Sequence, residues 1–395
     1  MNKLASIIKK KKLNVIGLLS GTSADGIDAC LVEISGFDKR IRLKQLAFKT
    51  YPFSKDVQKK ILEVSDPTYE NLDEILRLDM ALGRHFARSA INLVKDLGYD
   101  MKKIDLIGSH GQTIRHLSDP FFCLGKKIKA TYQIGDPSVI ALKTGVITVG
   151  DFRRSDIASG GEGAPLSPFA HFLLFNKLNT PQAVLNLGGI ANLTILPGTQ
   201  KIKDVWGFDT GPANMIVDFL VKKYFKKKFD KDGRIAFSGK VEGRILAFLK
   251  KDSYFNKRPP KSTGREKFGE EYIKRIERLG KKSHLKPEDL VTTASELVVQ
   301  TIWESFLRFV KTKQKIQRLI ITGGGAHNRY FTLRLKQLFE PIEVVTSKVF
   351  GYNPDSVEAL VFALLAYLAI KGKPGNIKRV TGAKKESVLG KICLF

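Results

Sequence analysis

The stretch that decides the fold is residues 15–34, VIGLLSGTSADGIDACLVEI. It begins and ends in apolar runs rich in branched side chains, which favour β-strands. Glycine and hydroxyl residues between the two runs are typical of a turn. The pattern therefore predicts an antiparallel β-hairpin. A third strand is predicted at 42–51, after a turn at 36–38.

The turn of this hairpin has the side chains of a phosphate site. Gly21 lets the backbone approach a ligand closely, and Thr22 and Ser23 can donate hydrogen bonds to phosphate oxygens. Asp25 repels a bare phosphate, so it fits such a site only if a divalent cation lies between the two. We therefore predict a phosphate-binding hairpin that uses Mg²⁺; the alternative is an ordinary hairpin turn.

The same arrangement returns in the second half of the chain. Residues 183–196, AVLNLGGIANLTIL, are again two apolar runs around a glycine-rich centre. A further strand, predicted at 205–208, leads into Asp209 and then into a helical pattern. A carboxylate at a strand end beside a helix start is well placed as a general base near bound phosphate. The alternative is that Asp209 only caps the helix.

Two polar segments that follow strands, 108–116 and 150–165, contain candidate ligand-binding side chains. Both are predicted as loops, because α/β proteins place ligand groups in the loops after strands. Amide, hydroxyl and guanidinium groups suit a polyhydroxylated anionic ligand, whereas solvated surface loops are the alternative. The candidates are Gln112, Thr113, Arg115, Arg153 and Arg154.

Composition limits the class of protein. A length of 395 residues fits two domains or one two-lobed unit. The net charge of +28 fits nucleic acid or an anionic membrane, but the lysines are mostly scattered, so we favour solvated surfaces that attract anionic substrates. Three widely spaced cysteines argue against a disulfide framework and fit the cytoplasm. The longest apolar run, 359–370, is too short to span a bilayer and predicts a buried helix.

Two features near the C-terminus complete the set of candidates. The segment 322–328, TGGGAHN, follows a predicted strand, and its glycines let the backbone pack against a flat ring or a phosphate; the alternative is a tight turn. Glu358 lies in the first turn of a predicted helix, where the helix dipole stabilises its charge; alternatively, it faces a ligand cleft. P-loop and protein-kinase motifs are absent from the sequence.

Nine stretches, taken together and in this order, resemble the anhydro-N-acetylmuramic acid kinase family, within the sugar kinase, heat-shock ATPase and actin superfamily. The resemblance covers 18–359 and implies an α/β protein with two ribonuclease-H-like lobes (the actin-like ATPase fold) around a central nucleotide cleft. It places the lobes at 1–179 and 180–395, with packing of the last residues on the first lobe left open. The stretches are LLSGTSADGID, GSHGQTIRH, QIGDPSVIA, GDFRRSDIASGGEGAPL, NLGGIANLT, FDTGPAN, PPKSTGRE, TGGGAHN and NPDSVEA.

The resemblance also implies a reaction. ATP, with Mg²⁺, phosphorylates the 6-oxygen of 1,6-anhydro-N-acetylmuramic acid while water opens the anhydro bond, giving N-acetylmuramic acid 6-phosphate for peptidoglycan recycling. Asp209 is implied as the base on that water, Glu358 as a second catalytic residue and Asp25 as the residue near the metal. The five candidates at 112–154 are assigned to the sugar acid. The implied cofactor-binding residues are Gly21, Thr22, Ser23, Asp25, Gly26, Asp28, Gly188, Gly189, Gly211, Gly323, Gly324, Gly325 and Asn328.

Other functions stay open from the sequence. A kinase of another amino-sugar acid and a non-catalytic ATP-dependent switch are both compatible with the same fold. The expected partner is a small-molecule sugar acid, with no nucleic acid and no membrane, and a homodimer is left open. The expected location is the cytoplasm.

Overall fold

The computed structural model describes residues 2–36 and 40–395. The turn predicted at 36–38 therefore lies partly outside the described residues. The chain divides into two compact units, which we call unit 1 (Met1–Leu174 with Ser356–Phe395) and unit 2 (Phe175–Asp355). This division differs from the lobes expected at 1–179 and 180–395, since the last forty residues belong to unit 1.

The secondary structure alternates between strands and helices. The strands are β1 Lys12–Ser20, β2 Gly26–Ser35, β3 Arg42–Pro52, β4 Leu106–Cys123, β5 Lys126–Ile134, β6 Thr148–Gly150, β7 Gln182–Leu187, β8 Ile190–Leu196, β9 Trp206–Pro212, β10 Arg318–Thr322, β11 Glu343–Thr346 and β12 Lys391–Cys393. The helices are α1 Asn2–Lys9, α2 Lys55–Val64, α3 Leu72–Asp96, α4 Pro137–Thr144, α5 Phe152–Ala158, α6 Ser167–Phe175, α7 Asn214–Phe225, α8 Arg234–Ser238, α9 Gly243–Leu249, α10 Ser253–Asn256, α11 Arg265–Phe268, α12 Glu270–Lys282, α13 Pro287–Phe306, α14 Arg329–Phe339, α15 Val357–Ile370 and α16 Lys378–Thr381.

The two units are built on sheets with the same strand order. In unit 1 the order is β3-β2-β1-β4-β6, extended by β12 on β6 and by β5 on β4. In unit 2 it is β9-β8-β7-β10-β11. In both, the first three strands pair antiparallel and the last two join in parallel. This repeated order confirms the predicted α/β class with two ribonuclease-H-like units, and the second hairpin has the predicted layout of the first.

The sheet of unit 1 carries helices on its two faces. Ile16 and Leu18 point into an apolar core that includes Phe86 of α3. The intervening Gly17 faces α15, because successive side chains of a strand point to opposite faces. In α15 every residue except Glu358 is buried, which confirms the buried helix predicted from the apolar run. Across 2–36 and 40–395, no helix is long and apolar enough to cross a membrane.

Two predicted loops are regular structure instead. Residues 108–116 lie inside β4, which pairs with β1 on one side and with the hairpin strand β5 on the other. Residues 152–158 form α5, which begins after Asp151 in the left-handed conformation with φ 58°. The prediction failed at 108–116 because these glycine and polar residues lie on backbone that pairs with β1 and β5, which are supplied by other parts of the chain. It failed at 152–158 because polar residues are also compatible with a helix, whose backbone hydrogen bonds are internal.

The core of unit 2 lies between its sheet and the helices packed on it. It contains Phe208 of β9, Leu297 of α13 and Phe331 of α14, all at most 1% exposed. A π-helical turn, Leu307–Lys311, continues α13. Packing against this core holds β9 in place, and β9 contains Asp209.

Candidate functional site

The turn between β1 and β2 exposes the predicted phosphate-binding side chains. Thr22, Ser23 and Asp25 are exposed, and the Ala24 N–H closes the turn by donating to the Gly21 carbonyl at 3.1 Å. A Cβ placed on Gly21 would meet no atom within 4 Å, so its backbone borders open space. The turn therefore has the shape and the donors to receive an anion.

Gly26 and Asp28, two other residues of the first hairpin, both contact strand β3. A Cβ on Gly26 would lie 2.6 Å from the Tyr51 carbonyl oxygen, so this glycine is required by the approach of β3. Asp28 lies inside β2, where its Oδ1 accepts a hydrogen bond from Thr50 Oγ1 at 2.6 Å. Packing within the sheet accounts for both residue types.

Gln112 supports the turn from the neighbouring strand. Its side chain is 2% exposed, and its Oε1 accepts a hydrogen bond from Ser20 Oγ at 2.6 Å. Its Nε2 donates to the carbonyl oxygens of Gly21 (3.3 Å) and Thr113 (3.1 Å). Gln112, predicted as a sugar contact, is thus bonded to the phosphate turn, and Ser20 is a supporting residue that the sequence reasoning missed.

Arg115 is bonded to backbone carbonyls. Its Nη1 donates to the carbonyl oxygens of Ile114 at 2.9 Å and Val64 at 3.2 Å, and its Nη2 donates to that of Asp66. Val64 is the last residue of α2, so the guanidinium satisfies carbonyls at the end of that helix. These bonds support a structural part for Arg115.

Polar atoms without partners lie beside Thr113. Its Oγ1 accepts a hydrogen bond from Gln133 Nε2 at 3.2 Å. Within the described part of the chain, Gln133 Oε1 and His116 Nε2 are buried and make no hydrogen bond. Burial and the charge of Arg153 lower the pKa of His116 to about 4, so its ring is neutral at pH 7. Hydroxyl or amide groups of a bound ligand would satisfy these atoms.

A neutral histidine orients Arg153. Arg153 Nε donates to His110 Nε2 at 2.9 Å, and Arg153 Nη1 donates to the Gly163 carbonyl oxygen at 2.8 Å. His110 is 6% exposed, and burial together with Arg153 lowers its pKa well below the usual value. Because Nε2 accepts, Nδ1 carries the proton and donates to the Gly111 carbonyl oxygen at 3.0 Å. The sequence analysis gave His110 no such role.

Arg154 lies on the next position of α5 and has different partners. Its Nε donates to the Thr131 carbonyl oxygen at 3.2 Å and lies 3.4 Å from Asp151 Oδ1. Its guanidinium carbon is 5.1 Å from the ring centroid of Tyr132. These contacts fix Arg154 beside β5.

Glu358 also belongs to unit 1, in the first turn of α15, and not to the second lobe as predicted.

In unit 2, Asp209 is held within β9. It is 9% exposed, and its Oδ2 accepts a hydrogen bond from the Thr263 N–H at 3.0 Å. Its own N–H donates to the Lys261 carbonyl oxygen at 3.1 Å, and its carbonyl oxygen accepts from Tyr254 Oη at 2.9 Å. The capping alternative does not hold, since Ala213 is the N-cap of α7 and no side chain caps that helix.

Two residues that adjoin Asp209 have buried side-chain oxygens without a hydrogen-bond partner. Asn192 on β8 is the register partner of Asp209 in the antiparallel pair, so their side chains lie on the same face. In the described ranges, Asn192 Oδ1 and Thr263 Oγ1 are buried without a hydrogen-bond partner. Buried polar atoms are normally paired, so their position beside a carboxylate marks a place for a polar ligand or water.

The glycines of the second hairpin shape the start of α7. The carbonyl oxygens of Gly188 and Gly189 accept hydrogen bonds from backbone N–H groups at the helix start, at 3.0 and 2.9 Å. Gly211 has φ +150°, and a Cβ there would lie 2.7 Å from the Phe255 ring. The positive φ and the packing against Phe255 account for Gly211, whereas the carbonyl hydrogen bonds at 188 and 189 do not by themselves require glycine.

The three consecutive glycines after β10 are not equivalent. A Cβ on Gly323 would lie 2.6 Å from Asn186 Oδ1, and one on Gly325 would lie 2.5 Å from Leu187 Cβ. A Cβ on Gly324 would have its nearest neighbour at 3.9 Å. Packing therefore requires the outer two, and only Gly324 borders open space.

Residues after the glycines are partnered within unit 2. Asn328 Oδ1 accepts hydrogen bonds from the N–H groups of Tyr330 (3.0 Å) and Phe331 (3.3 Å), so it caps α14. His327 Nε2 lies 2.9 Å from Asp355 Oδ2. The side-chain oxygen of Asn328, predicted to bind the cofactor, is thus used for capping.

We expect Gly324→Ala to raise KM for ATP about tenfold without lowering the melting temperature. The added methyl group fits the fold but occupies the space predicted for the nucleotide. Gly323→Ala, in contrast, should lower the melting temperature, because its backbone has φ +79° and its Cβ site is filled. Initial rates against ATP concentration and thermal melts test both variants; an unchanged KM for Gly324→Ala contradicts the assignment.

The sequence matches the anhydro-N-acetylmuramic acid kinase family over residues 13–394. The chain belongs to this family. A relative from Caldanaerobacter subterraneus subsp. tengcongensis, named anhydro-N-acetylmuramic acid kinase, is 42% identical over 396 residues and covers 100% of both chains. Relatives of the same name from Salinibacter ruber and Clostridioides difficile are each 39% identical; the first covers 99% of both chains, and the second 95% of this chain and 97% of its own. The anhydro-N-acetylmuramic acid kinase match contains all nine quoted stretches and confirms the resemblance.

Proposed function

We propose that the chain is a cytoplasmic, ATP-dependent kinase that opens 1,6-anhydro-N-acetylmuramic acid with water and phosphorylates its 6-oxygen. Family membership and the names of the relatives support the substrate. The observation that carries the chemistry is the buried Asp209 carboxylate, held by the Thr263 N–H beside the unpaired oxygen of Asn192. The three free cysteines fit a reducing compartment.

In this proposal, Asp209 is the general base. One carboxylate oxygen is fixed by Thr263, and the carboxylate takes a proton from water as the water oxygen bonds to the anomeric carbon. Asn192 Oδ1 accepts a hydrogen bond from the second O–H of that water. This bond orients the lone pair of the water oxygen toward the anomeric carbon. The bond between the anomeric carbon and the 6-oxygen breaks, the 6-oxygen bonds to the γ-phosphorus, and ADP leaves. The product has gained one phosphoryl group and the atoms of one water.

Unit 1 supplies groups for the two anionic substrates. The exposed Thr22 and Ser23 and the open backbone at Gly21 would receive the phosphates. Arg153, oriented by His110, would bind the lactyl carboxylate, since a guanidinium pairs well with a carboxylate. Phosphoryl transfer depends mainly on such positioning and charge neutralisation.

The residues present also fit Mg²⁺. Among residues 2–36 and 40–395 there is no cluster of three or more histidine, cysteine or acidic side chains that could hold a metal alone. Magnesium in kinases is typically held by one or two carboxylates together with substrate phosphates, and the exposed Asp25 matches that donor set. When bound, the cation would neutralise charge on the phosphates.

Mass spectrometry of the product tests this proposal. Incubation of the chain with 1,6-anhydro-N-acetylmuramic acid, ATP and Mg²⁺ should increase the mass of the sugar by one phosphoryl group (HPO₃) plus one water. Water labelled with oxygen-18 should place its label on the anomeric carbon. A sugar that gains only water or only phosphate would contradict the coupled reaction, and an unmodified sugar would overturn the substrate.

We expect Arg153→Ala to raise KM for the anhydro-sugar about 10- to 100-fold, because a charge-assisted contact to the lactyl carboxylate is lost. KM for ATP should stay within about twofold. Arg88→Ala removes an exposed arginine from α3 of the same unit and serves as the control for net charge. Steady-state kinetics with each substrate varied separately give both constants; an unchanged sugar KM would place the carboxylate contact elsewhere.

A further inference from the structure

Lys261 is a buried cation that the proposed reaction does not use. It is 8% exposed, and its ammonium lies among three aromatic rings. Its Nζ is 4.6 Å from the ring centroid of Tyr254, 5.3 Å from that of Phe309 and 5.8 Å from that of Phe208. We call these three rings the aromatic cage. Cation–π contacts within about 6 Å are favourable, more so when the cation is shielded from water.

Three residues form a closed ring of hydrogen bonds around the backbone of Asp209. The Asp209 N–H donates to the Lys261 carbonyl oxygen at 3.1 Å, and Lys261 Nζ donates to the Tyr254 carbonyl oxygen at 3.3 Å. Tyr254 Oη then donates to the Asp209 carbonyl oxygen at 2.9 Å. Two residues after Lys261, the Thr263 N–H holds the Asp209 carboxylate. The segment 259–264 therefore reaches the carboxylate from an anchor at Lys261.

Charged groups from several elements act on this ammonium. Burial lowers the pKa of Lys261 to about 8; Arg308 on the π-helical turn and Lys257 after α10 lower it, whereas Asp209 on β9 raises it. Lys261 and Asp209 thus stabilise each other's charged forms, and the stabilisation is lost when Lys261 gives up its proton above about pH 8.

We propose that Lys261 is a positioning residue for Asp209, which anchors segment 259–264 in the aromatic cage and keeps the Asp209 carboxylate ionised. The inference rests on the proposed function, in which Asp209 is the base. A lysine is suited to this part, since its stem packs against the rings while its charge acts on the carboxylate. The proposal links the protonation of one lysine to the activity of a carboxylate held by a loop.

The test is the pH dependence of kcat/KM for the wild type, Lys261→Met and Lys261→Arg. Wild type should lose activity above about pH 8, because deprotonation of Lys261 removes the cation–π contacts that anchor segment 259–264 in the aromatic cage. Lys261→Arg should retain its activity above this pH, because arginine stays charged. Lys261→Met fills the cage with a flexible apolar side chain. It should lower kcat about 10- to 100-fold and move the acid limb of the pH profile upward, because the carboxylate loses a neighbouring positive charge. If kcat/KM falls at the same alkaline pH in wild type and in Lys261→Arg, the proposal is overturned.

Two controls separate charge from structure. Tyr254→Phe removes the hydroxyl that bonds to Asp209 but keeps the ring and the lysine, so it should lower kcat without moving either limb. Lys251→Met removes an exposed lysine from the same unit and should leave the profile unchanged. If Tyr254→Phe moves the limbs as Lys261→Met does, loop displacement explains both results, and the electrostatic part of the proposal is wrong.

A measurement made without substrate tests the inference independently of the proposed function. The Nζ resonance of Lys261 in ¹⁵N-lysine-labelled protein, assigned by its loss in Lys261→Arg, should titrate near pH 8. In Asp209→Asn it should titrate lower, because the stabilising carboxylate is gone. A Lys261 titration that is the same in wild type and Asp209→Asn would overturn the coupling, even in an active enzyme. An inactive wild type with a resonance that shifts as described would overturn the proposed function alone.

Discussion

Asp209→Asn is expected to lower kcat about 10²- to 10⁴-fold, the usual loss when a general base is removed. The amide keeps the shape of the side chain and can still accept the Thr263 N–H through its oxygen, so the fold should be retained. It cannot take a proton from water. The melting temperature and the affinity for a non-hydrolysable ATP analogue should therefore stay close to those of the wild type.

The measurement is the single-turnover rate of sugar phosphorylation with both substrates saturating. Asp232→Asn provides a matched control, since Asp232 lies in the same unit, is 40% exposed and is paired only with a nearby arginine among the salt bridges observed. It should leave the rate unchanged. If Asp209→Asn phosphorylates the sugar at a rate close to wild type, Asp209 is not the base and the chemistry assigned to unit 2 is wrong.

Gly108→Ala is expected to destabilise the chain by about 3 kcal/mol or more, enough to prevent accumulation of folded protein. Gly108 lies in β4, and a Cβ there would sit 2.1 Å from the Phe362 carbonyl oxygen and 2.8 Å from Ala366 Cβ. Both atoms belong to α15, which is buried along its length and cannot retreat without opening the core of unit 1.

Soluble yield and thermal melting give the outcome. Gly243→Ala is the matched control, because Gly243 is the first residue of α9 and a Cβ there would meet nothing within 4 Å. Its melting temperature should be equal or slightly higher, since alanine favours a helix. A Gly108→Ala protein that melts with the wild type would show that α15 does not approach the sheet as closely as described.

Local patterns were enough to predict the strands that carry the site. Branched apolar residues on both sides of 20–26 and of 188–189 favour strands, and both hairpins are present with the predicted pairing. The exposed Thr22, Ser23 and Asp25 follow from the same patterns. Asp209 was predicted just after a strand ending at 208 and lies inside β9 instead, since that strand continues to Pro212. Their roles in binding and catalysis stay predictions.

The partners of the polar side chains were not predictable. Gln112 bonds to Ser20, 92 positions away, and Arg115 bonds to the carbonyl of Val64, 51 positions away, because strand register and helix packing bring these residues close. Sequence spacing contains no measure of such distances. The same reason explains why the ring of hydrogen bonds through Tyr254 and Lys261 was missed, although residues 259–266, PPKSTGRE, are one of the nine stretches that resemble the family.

The sequence by itself determined the α/β class, the two hairpins and the family, because these depend on short-range patterns of apolar, glycine and hydroxyl residues. Only the tertiary structure decided that α15 and Glu358 belong to unit 1 and that Lys261 lies beside Asp209. The physical reason is the close packing of the interior. Because Gly17 and Gly108 have no side chain, α15 can pack directly against the strands at these positions. Three aromatic rings enclose the ammonium of Lys261. Both contacts form only when segments distant in sequence come together.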